Sequence, residues 1–225
     1  MTSLETDPRE AACTASIPVL ATNRLVLRAP CAADAKAIAS LINDRRIAEN
    51  TARVPHPYGL ADARAFLAQV NRDPSEPSFA ITLADGTIIG GCGIHVLSGG
   101  APELGYWIGV PYWGHGYATE AARALLDHAF GELGHERLLG RARVSNPASR
   151  RVQEKCGFQW TGVSLIRIHA LKSSAPVDCF QLDRGLWASL RSWGGTNRVA
   201  RGRETREPRS YEPRSCKPRS CEPGP

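Results

Sequence analysis

The chain has 225 residues, 42% hydrophobic and 22% charged, a balance that excludes a wholly disordered protein and a length that suits one α/β domain. Its 28 basic residues exceed its 22 acidic ones, for a formal charge of +6, which taken alone points to nucleic acid or a membrane surface. The distribution weakens that reading, because residues 194–225 carry eight Arg/Lys against four acids and the preceding residues are left at only +2.

In chain order, residues 1–20 read as a flexible leader with no basic-then-apolar signal pattern. Arg24-Leu25-Val26-Leu27-Arg28 alternates like a strand, and Ala35, Ile38, Ala39 and Ile42 repeat at helical spacing after Asp34. Pro55 to Gly59 breaks the chain before a second helical stripe of Ala63, Phe66, Leu67 and Val70. Residues 79–83 and 87–96 flank Asp85-Gly86, a hairpin signal. Glu103 to Val110 reads as a strand that Pro111 ends. Gly114-His115-Gly116 then leads into a helix whose stripe is Ala118, Ala121, Ala122, Leu125, Leu126, Ala129 and Phe130. A strand over 137–144 is followed by a helix opened by Asn146-Pro147-Ala148-Ser149 and closed by Cys156-Gly157. Residues 158–169 and 177–186 read as closing strands. The sum is a mixed α/β (α+β) domain over 21–193 with a largely antiparallel sheet.

From Arg206 the sequence repeats every five residues as REPRS, YEPRS, CKPRS and CEPGP. Residues 194–225 contain no Leu, Ile, Phe or Met and too little apolar surface to offset the entropy of ordering, so they are expected to be a disordered basic tail. An arm for RNA or phosphate is the alternative. The seven cysteines are scattered without CxxC pairs or zinc spacing, which fits free thiols, a reducing cytoplasm and no metal. No apolar run approaches bilayer length.

A helix N-terminus offers unpaired N–H groups and partial positive charge, and glycines before it admit a ligand close to the backbone. Gly114-His115-Gly116-Tyr117-Ala118 is therefore a phosphate cradle or, equally, a plain capping turn. It lacks the Lys-Ser/Thr of a P-loop and the third glycine of a dinucleotide fingerprint.

Residues 21–162 resemble a GNAT-superfamily N-acetyltransferase of the ribosomal-protein alanine N-acetyltransferase (RimJ/RimL) branch. The segments that carry the resemblance are Thr22 to Arg28, the Asp34-Ala35 helix, Phe79-Ala80-Ile81, Ile89-Gly90-Gly91, Glu103 to Ile108, Trp113 to Ala121, and Asn146 to Ser149 with Lys155 to Phe158. The superfamily loop opens with Gln or Arg; Trp113 stands there, an aromatic as in that branch.

The resemblance implies the GNAT fold and acetyl-CoA as acyl donor, with no metal. It implies that amides from Gly114 to Ala118 hold the pyrophosphate and that the strand before them splays from the next at a bulge near Gly109. The pantetheine arm would pair with the free edge at Ile108 and Val110, where an N–H would stabilise the oxyanion. Glu103 is the candidate general base, or a surface acid at a strand end. Ser149 is the candidate acid at the departing sulfur, with Asn146 holding pantetheine, or serving only as the helix N-cap. His115 touches a phosphate or lies exposed between the glycines.

The expected activity is acetyl transfer by direct attack of a primary amine on the thioester. The acceptor is a protein N-terminal α-amine or a small molecule, and the enzyme a monomer or homodimer. A non-catalytic acyl-CoA-binding module of the same fold is the alternative.

Overall fold

The computed structural model describes residues 17–70, 75–96 and 100–199, the last six by backbone only. The alternating segments become β1 (Leu20–Ala21), β2 (Leu25–Arg28), β3 (Ser78–Leu83), β4 (Ile88–Val96), β5 (Pro102–Ile108), β6 (Arg137–Arg143), β7 (Gln159–Ile168) and β8 (Ser173–Asp183). The helices are α1 (Ala35–Ile42), α2 (Arg45–Ala48), α3 (Leu60–Gln69), α4 (Tyr117–Gly131), α5 (Pro147–Lys155) and α6 (Arg184–Val199). The strands form one sheet in the order β1-β2-β3-β4-β5-β6-β8-β7. All neighbours are antiparallel except β5 and β6, so the architecture is a mixed α/β fold with a mostly antiparallel sheet flanked by helices.

The alternation of each strand supplies two cores. On one face Leu25, Leu27, Phe79, Ile81, Ile94, Leu104, Leu138, Phe180 and Leu182 pack with the α4 stripe of Ala121, Ala122, Leu125, Leu126, Ala129 and Phe130. Each buried Leu or Phe removes enough apolar surface to contribute about 1.5–3 kcal/mol. A smaller cluster of Ala35, Ile38, Ile42, Ile47, Tyr58 and Ala63 joins α1, α2 and α3, with Trp107 of β5 packed against it. Between this second layer and the sheet lies the cavity described below.

Several boundaries differ from the sequence reading. Ile17 and Leu20 pack against the main core and Leu20 pairs with Leu27, so the stretch read as leader already contains a strand. Asp44 starts the unforeseen α2 by accepting a hydrogen bond from Arg46 N at 2.9 Å. β8 begins at Ser173 rather than 177, and the chain turns helical at Arg184. There Leu186 and Trp187 pack on the core and Trp187 Nε1 donates to Asp127 at 3.0 Å, contacts that local alternation does not encode.

The chain divides into two compact units, Met1–Leu190 and Arg191–Pro225. Of the second only the end of α6 is described, and the repeat tail lies outside the described residues. Among the described residues no helix is long and apolar enough to cross a membrane, and no cluster of His, Cys, Asp or Glu could hold a metal.

Candidate active site

β5 is shared between two neighbours and leaves one of them early. It pairs with β4 in unbroken register from Pro102 to Ile108, but with β6 only through Glu103↔Leu139 and Leu104↔Gly140. Beyond that point β6 follows β8 as far as Arg143↔Val177, and a gap opens between β5 and β6. Gln153 of α5 helps shape this gap: any side chain at Gly140 would collide with its amide, so the bare strand admits the helix.

The expected bulge at Gly109 is absent, and the splay arises where β6 departs, not from an extra residue in β5. Gly109 N donates to Ile89 O at 2.8 Å, on the β4 side. By alternation the Ile108 amide faces the gap. The Ile108 carbonyl accepts from Trp113 Nε1 at 2.6 Å. Val110 starts a 3-10 turn, Val110–Tyr112, and its side chain packs against the second core cluster.

The glycine loop follows. Gly114 and Gly116 have φ of +80° and +81°, a left-handed conformation that a side chain disfavours. Gly116 is the N-cap of α4 and accepts from Glu120 N through its carbonyl, so the amides at the start of α4 have no partner within the helix. The space around Gly114 is open.

Arg24 holds the loop from behind. Its guanidinium pairs with Glu120 at 2.6 Å, donates to His115 O at 3.0 Å and covers the Tyr117 ring at 4.7 Å. His115 is exposed, stacks on Tyr117 at 5.5 Å, and its Nδ1 lies 2.8 Å from Trp113 O. Ala118 lies in the first turn of α4, packed against the main core.

Across the gap stands α5. Asn146 caps it, its Oδ1 accepting from Ser149 N at 3.1 Å, which leaves its amide NH₂ free of that role. Ser149 Oγ lies 2.9 Å from Tyr106 Oη, so the hydroxyl is tied across the gap to β5. Burial pushes the Tyr106 phenol well above its ordinary range, and it stays protonated at neutral pH.

On the opposite face of β5, Glu103, Gly105 and Trp107 line a cavity of about 550 Å³. The Trp107 indole crosses Gly91 so closely that a Cβ there would lie 2.8 Å from Nε1. Glu103 is no surface acid: its side chain is 20% exposed and its Oε2 is 3.4 Å from Arg141 Nε, an ion contact too long for a good hydrogen bond. Burial raises its pKa, opposed by the charges of Arg141 and Arg53. Its cross-strand partner His95 is pushed down to about 4 by burial and by Arg53, and is neutral at pH 7. Cys92 also lines the cavity, and burial raises its thiol far out of reach of neutral pH. Cys156, near α4, is pushed up to about 11 for the same reason.

Glu103, Tyr106 and Ser149 thus meet in one cavity that reaches the gap, while Gly114 to Ala118 lie at the end of the strand that forms its edge. Tyr106, His95 and the cavity arginines were not singled out as functional from the sequence. The parity of β5, with Glu103 and Trp107 on one face and Tyr106 on the other, is the signal that separates them.

Residues 24–159 match the acetyltransferase (GNAT) domain model, which covers more than half of the chain. The chain belongs to the GNAT acetyltransferase family. It is 29% identical to the uncharacterized N-acetyltransferase YoaA of Bacillus subtilis, over 72% of this chain and 93% of that one. It is 34% identical to the uncharacterized protein YkkB of the same organism over 46% of this chain, and spans 66% of that relative's length. Mycobacterium smegmatis RimJ, solved in complex with CoA-disulfide, shares the fold with a TM-score of 0.65 and 20% identity, covering 76% of this chain and 89% of its own.

Proposed function

We propose that the protein transfers an acetyl group from acetyl-CoA to a primary amine by direct attack on the thioester. The observation that carries this reading is the parting of β5 from β6 after Leu104, which leaves a strand edge between the glycine loop and the cavity holding Glu103. The amides of Gly114, His115, Gly116, Tyr117 and Ala118 take the pyrophosphate, where the α4 dipole favours negative charge. The edge at Ile108, with the backbone of Val110 just beyond the strand end, takes the pantetheine arm, and the Asn146 amide is a further donor. The thioester carbonyl then lies where the Ile108 N–H stabilises the oxyanion.

The amine nitrogen attacks the carbonyl carbon; the C–N bond forms and the C–S bond breaks. Glu103, directly or through one water, accepts the proton the nitrogen loses. Ser149, positioned by its contact with Tyr106, donates a proton to the departing sulfur as it takes one from solvent, and Glu103 gives its own proton to solvent before the next turn. The raised cysteine pKa values support direct attack, since neither Cys92 nor Cys156 offers a thiolate at neutral pH. The motifs at 113–121 and 146–158 favour the RimJ/RimL branch. An α-amine, with an ordinary pKa near 8 against about 10.4 for lysine, is the acceptor that a base of this kind most readily serves.

The catalytic domain is residues 21–193, and turnover without residues 194–225 should equal that of the full chain. The principal test is Gly116→Glu, which puts bulk and negative charge at the phosphate cradle. Acetyl-CoA binding by calorimetry should be lost while the melting transition remains; unchanged affinity would remove the loop assignment. Acetyl-CoA binding without thiol release for any amine would identify a binding module instead.

A further inference from the structure

The cavity beside Glu103 holds more positive charge than the chemistry above requires. Arg53, Arg141 and Arg143 line it against Glu103 and Asp62, with His95 neutral. Arg141 sits against Glu103, and Asp62 Oδ2 accepts from the Gly59 amide. Arg53 and Arg143 make no ion pair with a carboxylate of the described residues. Arg143 donates from one terminal nitrogen to Glu49 O at 2.8 Å, while its Nε is buried with no partner. That Nε is closed off from a ligand in the cavity, so Arg143 would meet one through its second terminal nitrogen, which has no hydrogen-bond partner among the described residues.

From this, we infer that the acetyl acceptor is a small primary amine bearing its own anionic group, a carboxylate or a phosphate, held by Arg53 and Arg143. The inference rests on the acetyltransferase reading and narrows its substrate class. A volume of about 550 Å³ suits a small molecule, and Ile38, Ile42 and Trp107 supply apolar walls. The excess positive charge has a second effect. It disfavours an ammonium ion more than a neutral amine, so the acceptor nitrogen loses its proton more readily beside Glu103. An anion on the acceptor compensates the same charge at the far end of the molecule. Polyamines, cationic at every group, fit poorly.

The test compares matched acceptors with the full-length protein: L-alanine against L-alaninamide, and O-phosphoethanolamine against ethanolamine, with spermidine as the cationic control. Thiol release should give a kcat/KM at least about tenfold higher for the anionic member of one pair, and which pair responds separates carboxylate from phosphate. Arg53→Gln and Arg143→Gln should each reduce that preference to within about threefold while the KM for acetyl-CoA stays unchanged. Arg53 is exposed, so its variant remains informative if Arg143→Gln fails to fold.

Equal or better turnover of the uncharged members, or of spermidine, overturns the inference and leaves the acetyltransferase reading standing. If no amine is acetylated, that reading fails on its own. Titration of the CoA-loaded protein with each pair then decides the inference, which is overturned if the anionic member binds no more tightly.

Discussion

Tyr106 Oη and Ser149 Oγ lie 2.9 Å apart, joining a strand and a helix across the gap where β5 and β6 separate. The contact ties the candidate acid to a phenol that burial keeps protonated, so Tyr106 is placed to orient the Ser149 hydroxyl. Ser149→Ala should lower kcat about 10–100-fold, with the KM for acetyl-CoA changed less than about threefold. Tyr106→Phe should have a smaller effect of the same kind, and the double variant should match Ser149→Ala alone. Steady-state thiol release measures all three; single effects that multiply would mean the hydroxyls act independently.

As the proposed base, Glu103 should carry the pH dependence. Its pKa is raised by burial, and the base acts only when ionised, so wild-type kcat/KM should fall as pH drops through that raised value. Glu103→Gln should be about 100-fold slower at pH 7 and approach the wild type near pH 9.5, where the amine is neutral without help. A pH–rate profile of both proteins reads this, and a constant ratio across the range would remove Glu103 as base.

His95 makes the fold sensitive to acid. Its pKa is about 4 in the native state because of burial and then Arg53, against 6.5 ordinarily. The unfolded chain takes up the proton first, so the stability His95 contributes is complete above pH 6.5 and lost as pH falls to about 4. That loss is on the order of 2 kcal/mol after allowance for its partial exposure. Thermal melts from pH 7 to pH 4.5 should show a smaller drop for His95→Gln than for the wild type.

Gly90 tests the packing of β4 on β5. A methyl group there would collide with the Trp107 carbonyl and lie 2.9 Å from Ile108 Cδ1, in a region where the backbone is locked by pairing. Gly90→Ala should cost about 2–3 kcal/mol and lower Tm by roughly 5–10 °C. Gly114→Ala, in open space at φ +80°, should cost only about 1 kcal/mol.

What was legible before any tertiary structure follows from local physics. The α4 stripe, the Asp85-Gly86 turn and the Gly114–Gly116 loop are each set by residues within one turn or one strand of each other. The alternation of Leu25 and Leu27 marked a face in the same way. The cost of glycine-free left-handed backbone and of exposed apolar stripes acts at that range, so these elements could be read directly.

The rest depended on which distant segments meet. That Glu103 is no surface acid emerged only where β4, β5 and β6 place it largely covered beside His95 and Arg141. The expected bulge at Gly109 gave way to a splay made by β6, whose early departure from β5 no local pattern in β5 records. The sequence by itself therefore determined the family, the order of the main elements and the glycine turn that opens α4. Only the tertiary structure decided which charges share the cavity, because burial and Coulomb interaction depend on distance in space, not along the chain.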